Sequence, residues 1–203
     1  MKTILCALLS ICMIASMNAQ ADTETVVSYP EKGDSEWHAY VGLFSGFASE
    51  NGFTPVEETT TLYNIGFGVG FDYYLSSTWS LRGRLNFDPK GSKDDINDSK
   101  FNASYITVPL MANWHFGKRK RWYLHFGPYI GFLMSADIDG DDVKDDLHST
   151  EIGSDIGIGV KIPVGNTMLF IESDGQNDFT EMSDFTDEGI YFVRSTLSVG
   201  IIF

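Results

Sequence analysis

The chain has 203 residues, 43% of them hydrophobic, with 14 basic and 28 acidic side chains and a formal net charge of -14. This hydrophobic fraction excludes a disordered chain, and the acidic balance excludes a basic surface for nucleic acid. The only cysteines, Cys6 and Cys12, lie near the N-terminus, so no disulfide framework or thiolate chemistry is expected further along.

The first 21 residues have the pattern of a cleaved secretory signal. Lys2 gives a charged start, residues 4–17 form an apolar run, and Ala19 and Ala21 are the small residues that signal peptidase recognises, so cleavage is expected after one of these two alanines. The run is shorter than the roughly 20 apolar residues of a membrane-spanning helix. Residues 22–35 are predicted to be a periplasmic N-terminal segment, and residues 36–203 a single barrel domain.

Eight segments alternate apolar and polar residues with the period of two that indicates β-strands. In the clearest, residues 63–74, Ile65, Phe67 and Val69 alternate with glycines. The predicted strands are residues 37–47, 63–74, 79–87, 105–116, 122–136, 152–162, 167–174 and 190–203. Pro109 lacks a backbone donor, which predicts a bulge or bend at that point.

The predicted connectors are short at residues 75–78, 117–121 and 163–166, and long and polar at residues 47–62, 88–100, 137–149 and 176–189. This alternation is typical of outer-membrane barrels, although a soluble up-and-down barrel would show it too. The polar phase of the strands is rich in glycine, asparagine, serine and arginine, which suits a narrow interior better than a water-facing sheet. We therefore expect an all-β, eight-stranded antiparallel up-and-down transmembrane β-barrel with a filled polar lumen, whose apolar phase faces lipid and which forms no solute channel.

The four tryptophans fall at strand ends beside the short connectors or the N-terminus, where an interfacial aromatic girdle is expected. They are Trp37, Trp79, Trp114 and Trp122. This end is predicted to be periplasmic, with the long loops on the cell exterior.

Eight charged residues fall in the inward phase, four of each sign. The cations are Arg82, Arg84, Lys161 and Arg194, and the carboxylates are Asp72, Asp155, Glu172 and Asp174. Because an unpaired buried charge is strongly destabilising, we predict that they form a paired and electrically balanced network.

Residues 105–136, "YITVPLMANWHFGKRKRWYLHFGPYIGFLMSA", combine a strand with a central proline, a basic turn and a Gly-Pro-Tyr-x-Gly strand. This segment resembles the outer-membrane β-barrel domain family common in Bacteroidetes, sometimes called PorT-like. Residues 82–91, "RGRLNFDPKG", and the C-terminal strand ending at Phe203 extend the resemblance. It implies an eight-stranded outer-membrane barrel and recognition of the terminal strand by barrel-insertion machinery, but no reaction. The sequence departs from the family at Asp174-Gly175, which leaves the register of strand seven open.

Two groups of residues are weak candidates for a ligand site. Asp137, Asp139, Asp141 and Asp142 begin an acid-rich loop that could hold Ca²⁺, but the spacing is not that of an EF-hand, and a solvated acidic loop is the preferred interpretation. His115 and His125 share the lumen phase of one hairpin, where a hydrogen-bonded filling is preferred to a metal site.

The resulting hypothesis is a non-enzymatic outer-membrane protein without cofactor, with a structural, adhesion or export-accessory role among outer-membrane lipid and lipopolysaccharide. A lipid-modifying or proteolytic barrel enzyme is the first alternative, although His148 is the one histidine on the loop side. A soluble lipocalin-like carrier is the second, and it would need the apolar phase to face inward.

Overall fold

The computed structural model describes residues 30–49, 59–94, 96–181 and 191–203. Over these ranges the chain forms eight long antiparallel strands and one 3-10 turn at Lys144–Asp146. The strands are β1 (Ser35–Ser49), β2 (Thr59–Tyr74), β3 (Trp79–Asp94), β4 (Lys100–Phe116), β5 (Trp122–Ile138), β6 (Thr150–Val164), β7 (Thr167–Asp178) and β8 (Tyr191–Ile202). A two-residue extension, Asp141–Asp142, pairs with the end of β5. The predicted signal peptide, residues 1–21, lies outside the described residues.

The sheet closes on itself. Strands next to each other in the chain pair with each other, and β1 also pairs with β8, from His38 opposite Ile202 to Ser49 opposite Tyr191. Closure leaves no edge strand with unpaired backbone groups, and it confirms the predicted eight-stranded up-and-down barrel. Within the described residues, no helix is long and apolar enough to cross a membrane.

The strands extend further than predicted at the ends away from the short turns. β3 continues to Asp94 and β4 begins at Lys100, so residues 88–100, predicted as a loop, are mostly strand. β7 continues through Gly175 to Asp178, in unbroken register with β6. In these extensions polar residues occupy both faces, so the hydrophobic contrast that marks a strand in the sequence disappears although the backbone ladder continues. Since a spanning β-strand needs about 9–11 residues, strands of 12–17 residues continue beyond the apolar band.

The apolar phase faces outward. Ile65, Leu110 and Ile156 are each more than 60% exposed, whereas Tyr123 and Glu172, on the opposite phase, are at most 1% exposed. The carrier alternative is therefore wrong, because it requires the aliphatic side chains to enclose a cavity. A surface this apolar is stable in contact with hydrocarbon rather than water.

Glycines opposite rings make room for the interior. Tyr40 pairs with Gly68 and Tyr123 with Gly159, and a Cβ atom at either glycine would lie within 2.8 Å of the facing ring. The same arrangement recurs at His125 over Gly157 and Phe170 over Gly200. Each ring lies across the backbone of its neighbour, which explains why glycines are concentrated in the inward phase of β2 and β6.

Pro109 does not form a bulge, so the bulge alternative of the predicted bulge or bend is wrong. The register between β3 and β4 is the same on both sides of it, with Gly83 opposite Leu110 and Asn86 opposite Thr107. The register shift between β4 and β5 lies instead at Ser104/Tyr105. A proline removes one ladder hydrogen bond without requiring an inserted residue, so the strand keeps its phase.

The ring-on-glycine packing predicts that the substitution Gly70→Ala destabilises the barrel by about 1–3 kcal/mol, the usual cost of overpacking. Its Cβ would lie 2.3 Å from His38 Nε2 and 2.8 Å from Arg84 Cγ. Gly83→Ala is the matched control, because an outward Cβ there meets only Leu110 Cδ2 at 3.6 Å. Urea unfolding in detergent, followed by tryptophan fluorescence, measures both variants. Equal stability of the two would contradict the packing argument.

Candidate functional site

The barrel interior is the principal cluster of charged side chains in the described residues. All eight predicted lumen charges point into it and are 1–6% exposed, namely Asp72, Arg82, Arg84, Asp155, Lys161, Glu172, Asp174 and Arg194. They come from β2, β3, β6, β7 and β8, so the closed sheet brings together residues that are far apart in the sequence.

Glu172 on β7 is the centre of this interior. Its two carboxylate oxygens accept hydrogen bonds from Arg84, at 2.6 and 2.9 Å, and Oε2 also accepts from Arg82 Nη1 at 2.8 Å. Tyr123 on β5 donates to the same oxygen at 2.7 Å. Arg82 in turn forms a bidentate pair with Asp72 at 2.7 and 2.8 Å. Paired guanidinium and carboxylate groups of this geometry are strong and directional, so the network ties opposite walls of the barrel together.

Aromatic rings cover the guanidinium groups. Arg82 lies 4.8 Å from the ring centroid of Tyr123, and Arg84 lies 4.8 Å from that of Tyr40. These cation–π contacts fill the space that water would otherwise occupy around the ion pairs.

Arg194 forms a second group nearer the loops. Its Nη1 lies 2.7 Å from Asp88 Oδ2, and its Nη2 donates to Asp174 Oδ2 at 2.9 Å. The ring of Phe44 packs 4.6 Å from its guanidinium carbon.

A third group, closest to the loops, was not predicted. Lys90 Nζ donates to both oxygens of Glu151, at 2.7 and 2.8 Å, and to Asp178 Oδ2 at 3.1 Å. Tyr129 also donates to Asp178. A signal for Asp88 and Lys90 was present, because the inward phase Arg82, Arg84, Asn86 continues through them in steps of two.

The short-turn end has its own polar group. Lys161 Nζ donates to Glu36 and to Tyr74 Oη, and Tyr74 donates to Glu36 Oε2 at 2.7 Å. The ring of His115 stacks on Tyr74 with centroids 5.1 Å apart, and its Nε2 lies 2.9 Å from Ser80 Oγ.

The predicted charge balance is wrong. Among the described residues, seven carboxylates but only five lysines and arginines are buried, because the unpredicted strand extensions add Asp88, Glu151 and Asp178 but only Lys90. His125 lies between two of these carboxylates. Its Nε2 is 3.2 Å from Asp155 Oδ1 and its Nδ1 is 3.5 Å from Glu172 Oε2, so each ring nitrogen faces a carboxylate.

The two histidines of the β4–β5 hairpin lie on neighbouring strands. Asn113 lies opposite His125 and His115 opposite Tyr123. The two imidazoles join different groups, His115 with Ser80 and Tyr74, and His125 with the two carboxylates.

Three of the four aspartates of the predicted calcium site accept hydrogen bonds from the backbone. Asp137 accepts from the Gly140 backbone at 3.3 Å, Asp139 from the Lys100 backbone at 2.9 Å, and Asp142 from the Lys144 backbone at 2.9 Å. Neither they nor Asp141 belong to a metal-holding group, since the described part of the chain contains no cluster of three or more histidine, cysteine or acidic side chains suited to one.

The four tryptophans lie on the outer face, between 39% and 55% exposed, near the short-turn end. Trp79 pairs with Trp114, Trp122 with Phe116, and Trp37 with Phe71. Large aromatic side chains therefore lie on the outer face of β1 to β5 at this end.

The closed eight-stranded sheet, its apolar outer face and its polar interior together define this protein as an integral membrane β-barrel. The chain matches the family described as outer membrane protein beta-barrel domain over residues 18–180. It therefore belongs to that family of the outer membrane. No curated protein sequence matches it.

Solved structures share the architecture at low sequence identity. AlkL in DMPC bilayers is 11% identical, with a TM-score of 0.51 over 90% of this chain and 96% of AlkL. OprG of Pseudomonas aeruginosa is 11% identical, with a TM-score of 0.50 over 85% and 97%. Neisserial surface protein A is 13% identical, with a TM-score of 0.50 over 83% and 97%. At such identities the likeness shows the fold alone.

The network predicts that Glu172→Gln lowers the free energy of unfolding by about 3–5 kcal/mol, the usual effect of removing one partner of a buried ion pair. Arg84 would remain buried but would lose its carboxylate partner. Its other hydrogen bond goes to His38, which does not replace that carboxylate. Adding Arg84→Gln to this variant should restore part of the loss, because the uncompensated charge is removed.

Urea unfolding in detergent measures these variants. Asp98→Asn is the control, because Asp98 pairs with Lys93 at an exposed loop and surface pairs contribute little. If the double variant were no more stable than Glu172→Gln alone, the ion-pair explanation would be wrong.

Proposed function

We propose that the protein is a non-enzymatic outer-membrane barrel that acts through its two ends, with its acidic loops forming an interaction surface on the cell exterior. The role is structural, in adhesion or as an accessory of export. The observation that carries this proposal is the position of Glu172, whose bonds to β3 and β5 place ion pairs and rings across the barrel centre. An interior filled in this way leaves the ends as the surfaces available to partners.

The long loops and the β4–β5 turn have opposite charge. At the loop end, Asp139, Asp141, Asp142, Asp145 and Asp146 are exposed. The hydrogen bond from Lys93 holds the pKa of Asp98, in the neighbouring loop, below its ordinary value, which favours the charged form. At the other end, residues 118–121 read Lys-Arg-Lys-Arg. An acidic end of this kind suits cationic partners, or lipopolysaccharide phosphates bridged by divalent cations.

The proposed orientation places the loops outside the cell and the N-terminus and short turns in the periplasm. The exposed tryptophans would then belong to the aromatic girdle of the periplasmic interface. The terminal strand, with Phe203 exposed, would be the segment that the barrel-insertion machinery recognises. The segment with Pro109 and the basic turn supports a PorT-like, Bacteroidetes type within the family.

A catalytic role has less support. Ser80 and His115 are within hydrogen-bond distance, but both are about 1% exposed and lie at the short-turn end. A substrate approaching from the loops would meet the Lys90 and Arg194 groups first.

A filled interior predicts that the purified protein gives no stepwise conductance in planar lipid bilayers. A porin reconstituted in the same way serves as the positive control. Stable, reproducible current steps from the folded protein would contradict a closed interior and would indicate a channel function instead.

The orientation predicts that Asp145→Cys is labelled in intact cells by a membrane-impermeant maleimide, whereas Lys118→Cys is labelled only after the outer membrane is opened. The only native cysteines are Cys6 and Cys12, within the predicted signal, so each variant would carry a single thiol. Both positions are exposed, which makes them a matched pair. The reverse labelling pattern would overturn the orientation.

A further inference from the structure

The end of the barrel opposite the acidic loops contains a small cavity lined by cations. Its volume is about 40 Å³, and its lining includes Arg119, Lys120 and Arg121 from the β4–β5 turn together with Lys161. Glu36 is the one carboxylate in the lining. A cavity of this size holds a few water molecules or one small oxyanion.

In the part of the chain that the structure describes, the cations that line this cavity outnumber the carboxylates. Glu36 is already occupied, because it accepts hydrogen bonds from Lys161 and from Tyr74. Among the described residues, Arg119, Lys120 and Arg121 form no ion pair, and the hydrogen bond of the Lys120 ammonium goes to the neutral Thr78 hydroxyl at 3.2 Å.

One donor at the cavity is also buried without an acceptor. Arg121 Nε is shielded from solvent and has no hydrogen-bond partner among the described residues. A buried charged donor without an acceptor is costly, and an anion in the cavity would supply the missing acceptor. The lining residues thus present guanidinium and ammonium donors around one small space, which matches the several oxygens of a phosphate group.

The cavity lies at the same end of the barrel as the exposed tryptophans. Arg121 directly precedes Trp122, and Trp79 and Trp114 are exposed on the outer wall at this same end. Because exposed tryptophans of membrane proteins lie at headgroup depth, the cavity is within reach of lipid phosphates as well as of soluble ions.

From these observations we propose that the cavity bounded by Arg119, Lys120, Arg121 and Lys161 is a binding site for a phosphate group, carried either by a lipid headgroup or by free phosphate. The site does not depend on which side of the membrane this end occupies. Arg121 is its central residue, since its Nε provides the unpaired donor.

The test compares Arg121→Gln with Lys118→Gln in the purified full barrel. Both substitutions remove one positive charge from the same turn, but Lys118 is exposed and does not line the cavity. Titration calorimetry with inorganic phosphate in neutral detergent measures binding of the free ion. Retention of phosphatidylglycerol by the protein in phosphatidylcholine nanodiscs measures binding of the headgroup.

We expect Arg121→Gln to weaken binding roughly tenfold or more, as for loss of a charge-assisted hydrogen bond, and Lys118→Gln to leave it nearly unchanged. Binding seen only with inorganic phosphate supports a free-ion site, and binding seen only with phosphatidylglycerol supports a headgroup site. No binding in either assay, or an equal loss in the two variants, would overturn the proposal.

Heat-modifiable migration on gels checks that each variant is folded. If Arg121→Gln fails this check, Lys120→Gln takes its place, because Lys120 also lines the cavity from the turn and its ammonium bonds only a neutral hydroxyl there.

Discussion

The structure depends on the pairing of charges inside a ring of strands that is only wide enough for side chains. Lipid surrounds the barrel, so the inward face must hold the polar half of every strand, and each charge there has to find its partner across a narrow space. Glu172 meets this requirement for Arg82 and Arg84 together, and Tyr123 donates a further hydrogen bond to it from β5. The interaction links β3, β5 and β7, so it stabilises the closed form of the sheet rather than any single hairpin.

This pairing is possible only because glycines admit the rings that accompany it. Tyr40 lies over Gly68, and the ring positioned there covers the guanidinium of Arg84. Tyr123 lies over Gly159 and covers Arg82 in the same way. The glycines of the inward phase are therefore part of the electrostatic design. Without them the rings would stand further into the lumen and displace the ion pairs.

The sequence was sufficient to predict the fold and the two faces of most strands, because period-two alternation records directly which side chains share a face. The prediction failed where the two faces of a strand no longer differ in hydrophobicity. The extension of β3 through Asp88 and Lys90 has polar residues on both phases, so hydrophobicity cannot separate it from a loop, and the charge balance predicted from the shorter strands was wrong for the same reason. The sequence could not predict which charged side chains pair with each other inside the barrel. That Arg194 joins Asp88 and Asp174 follows from closure of β8 onto β1 and from the stagger of the strands, which are properties of the whole ring.

The separation of charge between the acidic loops and the basic β4–β5 turn has a physical consequence for function. Ion pairs and rings occupy the barrel axis between the acidic loops and the basic turn, so under the proposed function neither end communicates with the other by passage of solute. Each end must then act on the partners that its own surface attracts, cations or bridged phosphates at the loops and phosphate groups at the turn. The closed ladder of hydrogen-bonded strands connects the two surfaces. Under the proposed function, in which the protein works by contact rather than transport, the ladder and the side chains that fill it together keep both surfaces in position.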